Sequence, residues 1–398
     1  MNDLLDKFKP FEAQISSAID ACGINPLAVR MESIESPTRA IIAGKPTILL
    51  GTNNYLGLTF NDEALAIATE TLAASGTGST GSRVANGNYT IHEALEKQLA
   101  AFYDKKHAIL FTTGYQANVG FISAIAGQDD YLLIDADSHA SIYDGCKLGN
   151  ATVIRFKHND AADLDKRLAR LPAGRNKLLI VEGIYSMIGD KAPLSEMTEV
   201  AKKHGCYVMV DEAHSLGVLG EKGRGLVEEA GLEDDVDFII GTFSKSVGTI
   251  GGFCVSNHDA MDALRVTARS YIFTASLPPS VVAAAAVNLR HIEEKPELRR
   301  ALWRNADQLY SGLIALGFKV GPEKTPVIGI QMPSVEEGLH FWKQLLAHGV
   351  YVNLALPPAT PTNFCLLRCS VCALHTEEEI NTVLSVFGKL RQQFEQAA

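Results

Sequence analysis

From about residue 90 the chain repeats one alternation: a stretch with apolar residues at helical spacing, then a short, almost wholly apolar run. Residues 91–103 suit a helix and 108–111 a strand. Residues 115–126 are helical again, and 131–134, 152–156 and 177–181 read as strands. A helix over 195–204 precedes a strand at 207–210, and another strand follows at 237–240. Strands with no polar alternation fit a sheet buried on both faces, and helices between them make that sheet mostly parallel. The expected fold class is therefore α/β, with a mostly parallel central sheet.

The pattern differs at both ends. Residues 4–22 suit a helical arm, followed by an extended piece over 38–50. Pro278-Pro279 opens a long helical stretch to about residue 316. Beyond it, strands at 327–330, 351–353 and 364–371 alternate with helices at 335–348 and 376–396. This divides the chain into an N-terminal arm (1–50), a large domain (51–285) and a small C-terminal α/β domain (286–398).

Composition narrows the function. Of 398 residues, 46% are apolar and 21% charged, ordinary globular usage. The net charge of −10 disfavours a nucleic-acid partner, since phosphate backbones need a positive surface. The start of the chain lacks the basic and apolar stretches of a secretory signal, and no run is long enough to span a membrane. A cytoplasmic protein is expected, with contact at a membrane periphery left open. Seven scattered cysteines do not suggest a disulfide framework. Cys365, Cys369 and Cys372 lack a second ligand pair nearby and read as buried thiols, not a metal site. If all three lie on one strand, Cys372 faces away from the other two.

In open α/β sheets the ligand lies beyond the carboxyl ends of the strands, so polar residues that follow apolar runs come first. Asp211 and His214 follow 207–210. A carboxylate there can keep a pyridinium nitrogen protonated and an imidazole can reach a phenolic oxygen, although an Asp capping the next helix would leave the same trace. Lys245, after 237–240, sits among small and hydroxyl residues where an amine can stay nucleophilic; alone it would read as a solvated loop lysine. Gly114 and Tyr115 open a helix, where backbone N–H groups and the helix dipole favour a phosphate. Together these residues suggest a pyridoxal 5'-phosphate (PLP) site with Lys245 as its Schiff-base lysine. His139 could stack on the pyridine ring or be a satisfied structural histidine. Arg368, in an otherwise apolar strand, needs an anion, either a substrate carboxylate or a structural partner. The glycine-rich 75–83 stretch lacks the Gly-Lys-Ser/Thr ending of a nucleotide-binding loop and reads as a flexible loop.

The segments Thr52-Asn-Asn54-Tyr55-Leu-Gly57, residues 76–87, Thr113-Gly-Tyr-Gln-Ala-Asn118, Asp137-Ser-His-Ala-Ser141, Glu182-Gly-Ile-Tyr-Ser186, Val210-Asp-Glu-Ala-His214 and Thr242-Phe-Ser-Lys245 resemble, in order, the α-oxoamine synthases, which are fold-type-I PLP enzymes. Three further segments, Thr-Phe-Ser-Lys245-Ser, Tyr271–Ser280 and Leu356–Pro361, are similar to the bacterial members that use serine. The resemblance implies Lys245 as the Schiff-base lysine, Asp211 at the ring nitrogen, His214 at the phenolic oxygen and His139 on the ring. It also implies Ser186 and Thr242 beside the cofactor, and Gly114 and Tyr115 on the phosphate, with Thr274 and Ala275 reaching it from the other subunit of a homodimer. Arg368 would bind the amino-acid carboxylate and Asn54 would line the acyl-donor side. The implied reaction is decarboxylating condensation of L-serine with a long-chain acyl thioester of the palmitoyl-CoA type, giving 3-ketodihydrosphingosine, the first step of sphingolipid synthesis. Coenzyme A and an acyl-carrier protein both stay open as the carrier. Glycine or alanine with another acyl thioester, and a non-catalytic partner subunit, are the alternatives. Two departures stand out. Asn53 and Leu356 occupy positions where some bacterial relatives carry an aromatic residue and an arginine, so a carboxylate-binding role for that arginine cannot operate here.

Overall fold

The computed structural model describes residues 3–357, 360 and 364–397. Part of the 356–361 segment quoted above, Pro358, Ala359 and Pro361, lies outside the described residues. The strands, in chain order, are β1 (Met31–Ser36), β2 (Arg39–Ile42), β3 (Lys45–Leu49), β4 (His107–Phe111), β5 (Tyr131–Asp135), β6 (Thr152–Phe156), β7 (Lys177–Glu182), β8 (Tyr207–Asp211), β9 (Phe238–Thr242), β10 (Gly252–Ser256), β11 (Val327–Met332), β12 (Val350–Tyr351), β13 (Asn353–Ala355) and β14 (Cys365–Ser370). They fall into two compact units, one made of Asn53–Ser186 and Asp190–Ala301, the other of Met1–Thr52, Met187–Gly189 and Leu302–Ala398.

The larger unit is built on one sheet with strand order β4-β10-β9-β8-β7-β5-β6. Strands β5 to β9 pair in parallel, while β10 runs antiparallel to both β9 and β4. Ile109, Phe121, Leu132, Ile180, Met209 and Ile240 lie in one fully buried cluster on this sheet, as the unbroken apolar runs require. The reversed strand β10 is the element the apolar pattern does not reveal. It is short and follows the glycine-punctuated stretch Gly248-Thr-Ile-Gly-Gly, which reads as a turn. The helix Ala140–Leu148 was likewise not expected.

The single helical stretch expected from Pro278 to about residue 316 is two helices, Pro279–Glu294 and Pro296–Ala315. Pro296 supplies no N–H and crowds the residue before it, so Lys295 leaves the helical region at φ −117°, ψ 67°.

In the other unit, β1, β2 and β3 form an antiparallel meander to which β12 adds in parallel, with Val350 opposite Ile48. A second sheet, β11-β14-β13, is antiparallel. Trp342, buried in the helix Val335–Ala347, donates its indole N–H to Val352 O at 2.8 Å. The first residues of the chain thus belong to the unit formed by its last hundred. The strand expected to carry all three clustered cysteines ends short of the third. Cys365 and Cys369 lie on β14, but Cys372 lies beyond its end, where its backbone N–H caps His375 Nδ1 at 2.9 Å. Burial pushes the thiols of Cys369 and Cys372 up to about 12. Among the described residues no helix is long and apolar enough to cross a membrane.

Candidate active site

In the larger unit, the carboxyl ends of β7, β8 and β9 present Glu182, Asp211 and Thr242, each the last residue of its strand. Asp211 is buried, and both its oxygens accept hydrogen bonds: Oδ1 from Ala213 N at 2.9 Å and Oδ2 from Asn118 Nδ2 at 2.6 Å. Glu182 stands beside it in register and is also buried. Burial raises the Glu182 carboxyl well above the ordinary range and the charge of Asp211 adds to this, which favours the protonated form of Glu182. It accepts the His139 backbone N–H at 2.5 Å and so fixes the start of the next loop.

Lys245 follows β9 and is half-buried, close enough for its charge to act on both His139 and Glu182. His214 is buried and shares a hydrogen bond of 2.7 Å through Nδ1 with the hydroxyl of Tyr55, itself wholly buried. His139 keeps an exposed surface while its Nδ1 is tied to Ser141 Oγ at 2.7 Å and to Ser141 N at 3.2 Å. Enough protein still surrounds the ring for desolvation to lower its pKa, against the opposing pull of Asp211.

The helix Gly114–Ile125 starts at the end of β4, with Thr113 Oγ1 accepting Gln116 N at 3.1 Å. Its first N–H groups have no partner within the helix. Two glycines make this start possible. A Cβ on Gly114 would sit 2.7 Å from Thr242 Cβ, and one on Gly252 would reach 2.6 Å from Gly114 N. The result is a backbone cradle packed against the end of β9, where Thr242 Oγ1 donates to Gly251 O at 3.0 Å. Thr274 and Ala275 lie beside this helix start in the same chain: Gln116 Nε2 donates to Thr274 Oγ1 at 3.3 Å and Thr112 Oγ1 to Ala275 O at 2.7 Å. The Tyr115 side chain is turned away and donates to Asp144 Oδ2 at 2.5 Å, leaving its backbone to the cradle.

Behind His139 lies a charged clamp. His158, just beyond β6, meets Asp135 Oδ1 through Nδ1 at 2.8 Å and Asp190 Oδ2 through Nε2 at 2.7 Å. Both ring nitrogens therefore donate, which defines an imidazolium. Burial opposes that charge, but the hydrogen bonds and charges of the two aspartates outweigh it and carry its pKa up to about 10. The clamp ties the loop that carries His139 to the segment that follows Ser186.

Of the residues expected from sequence, Lys245, Asp211, His214, His139, Thr242, Gly114, Tyr115, Ser186, Thr274, Ala275 and Asn54 all belong to this unit. The Asn54 side chain turns to Thr59, donating from Nδ2 to Oγ1 at 2.8 Å. Arg368 belongs to the other unit, where it lies buried in β14 with its guanidinium donating to Ser370 Oγ at 2.8 Å. Tyr55, Asn118, Ser141 and Glu182 lie in the segments that resemble the family, yet their roles emerge only from the structure. Glu182 carries the signal that flagged Asp211, a carboxylate ending an apolar run, whereas the other three are visible only once helix faces and loops are placed.

The chain matches the family model of aminotransferase class I and II over residues 45–387. It is 57% identical to a serine palmitoyltransferase of Caulobacter vibrioides, over 94% of this chain and 93% of that one. It is 52% identical to the serine palmitoyltransferase of Sphingomonas paucimobilis, over 97% and 92%. A solved structure of a serine palmitoyltransferase with its PLP internal aldimine superposes with a TM-score of 0.96 at 51% identity, covering 98% of each chain. The chain therefore belongs to the aminotransferase class I and II family, as an α-oxoamine synthase akin to the bacterial serine palmitoyltransferases.

Proposed function

We propose that this protein is a PLP-dependent acyltransferase that condenses L-serine with a long-chain acyl thioester, releasing carbon dioxide and the free thiol and forming 3-ketodihydrosphingosine. The observation that carries this reading is the convergence, at one end of a single sheet, of Lys245, the hydrogen-bonded Asp211 and the glycine cradle at Gly114. The residues fit PLP. The cradle offers the first N–H groups of a helix start, set in place by the packing of Gly114 against Thr242, Asp211 is a fixed acceptor for a ring nitrogen, and His139 keeps an exposed surface while its Nδ1 is anchored.

Bound PLP supplies an electron sink that makes both loss of the serine Cα proton and loss of its carboxylate accessible. Lys245 Nζ would hold the cofactor covalently and would serve as the base for the serine Cα proton. Asp211 would keep the ring nitrogen protonated, and His214, oriented by Tyr55, would donate toward the phenolic oxygen. Ser186 and Thr242 lie against the cofactor. The N–H groups at Gly114 and Tyr115 would hold the phosphate, and Thr274 and Ala275, which sit beside this helix start in their own chain, would reach the phosphate of the partner subunit's site. Arg368 binds the serine carboxylate through its planar fork, and Asn54 lines the acyl-donor side.

A homodimer is supported by large apolar side chains left bare in this single chain near Thr274, above all Val266 and Phe273, each 71% exposed. Seven unpaired cysteines support a reducing compartment such as the cytoplasm. The decisive experiment assays purified protein with serine and acyl thioesters of several lengths and carriers, beside Lys245→Ala. Turnover should fall about 10⁴-fold in the variant while PLP still binds non-covalently; near-normal turnover would remove Lys245 from the chemistry.

A further inference from the structure

Asn118 is 3% exposed, in the second turn of the helix Gly114–Ile125, and both hydrogens of its amide are committed. One goes to Asp211 Oδ2 at 2.6 Å, the other to Ser141 Oγ at 2.9 Å. Its own Oδ1 is buried without a hydrogen-bond partner among the described residues. That orientation is forced, because a turned amide would set its oxygen against a carboxylate oxygen, which is worse than an orphaned acceptor.

The next link follows from donor and acceptor counting. Ser141 Oγ accepts from Asn118, so its hydrogen is left for His139 Nδ1 at 2.7 Å. The Ser141 backbone N–H, which can only donate, also points at that nitrogen at 3.2 Å. His139 Nδ1 therefore carries no proton. We infer that Asn118 and Ser141 form a polar relay that positions His139 relative to Asp211 and fixes the imidazole proton on Nε2. The relay makes the residue at the pyridine nitrogen and the residue on the pyridine face parts of one hydrogen-bonded unit. Both are positioning residues, and the inference rests on the reading that PLP occupies this site. The other groups acting on His139 are Lys245, which opposes its protonation, and Asp144, which favours it.

The test is nitrogen-15 NMR of the PLP-loaded protein labelled at histidine, with the His139 signals assigned by His139→Asn. The wild type should show a bare Nδ1 and a protonated Nε2. Ser141→Ala, which leaves Nδ1 only the longer backbone N–H contact at 3.2 Å, should shift the ring signals and displace the titration, and Ser141→Thr, which keeps the hydroxyl, should restore both. Asn118→Ala should disturb the same ring signals although it does not touch the ring. In both alanine variants kcat for serine should fall about tenfold, with KM for serine within about twofold, the worth of one well-placed hydrogen bond. Unchanged ring signals in Ser141→Ala, or a Ser141→Thr variant that behaves like the alanine one, would overturn the relay. Failure of the wild type to take up PLP would instead sink the reading of the site, and the ring signals of the protein without cofactor would still test the relay.

Discussion

His139 and His158 follow neighbouring strands of one sheet, β5 and β6, and each makes its hydrogen bonds within the protein, yet they reach opposite charge states. His158 meets a carboxylate at each nitrogen and stays charged. His139 meets a hydroxyl and a backbone N–H at one nitrogen, so desolvation lowers its pKa. Partners, more than burial, decide the outcome. The charged histidine is consumed by structure, tying two loops, while the neutral one keeps an exposed surface for a ligand.

The contrast breaks most visibly at the clamp. Replacing His158 by Asn strands two buried carboxylates, Asp135 and Asp190, and should cost about 3–5 kcal/mol in urea-unfolding experiments. A loss under 1 kcal/mol would mean that the clamp carries little of the fold's stability. The pH dependence follows from the same group. Its pKa is raised on folding from an ordinary 6.5 to about 10, so its contribution is fully present below 6.5 and lost as the pH climbs through 10. Melting temperature should decline across that window in the wild type and less steeply in His158→Asn. His139→Asn should do the reverse of the clamp variant: about tenfold in kcat/KM, the worth of one ring contact, with stability changed by under about 1 kcal/mol. The smallest effect is expected at Glu182. Because burial already favours its protonated form, Glu182→Gln keeps the acceptor for His139 N and should alter stability by less than about 1 kcal/mol. A large loss there would show that the ionised form matters.

How much of this was readable beforehand depended on what each residue's signal relied on. The parallel strands announced themselves because both faces are buried and the runs are unbroken. The reversed β10 did not, since its first residue, Gly252, serves the close approach to the helix at Gly114 and, with Gly251 before it, looks locally like a turn. Lys245, Asp211, His214 and Gly114 stood out because strand ends are where chemistry sits. Asn118 and Ser141 could not stand out. Their importance lies in which way two helix starts face one another, and no one-dimensional spacing encodes that. Thr274 and Ala275 came from resemblance alone, and the geometry adds that they sit beside Thr112 and Gln116 in their own chain.

The unit that gathers Met1–Thr52 with Leu302–Ala398 sets an order in time. On a ribosome adding about 5–20 residues per second, β3 is made roughly 15–60 s before β12, the strand it pairs with in parallel. Late in that wait, once β10 has been made, the larger unit can collapse on its own sheet, whereas the meander β1-β2-β3 still has one edge without its neighbour. Nascent chains halted near residue 340, with the larger unit clear of the tunnel and β12 still unmade, should therefore be cut by protease within the first fifty residues and resist cutting in the larger unit, and release of the full chain should abolish that difference.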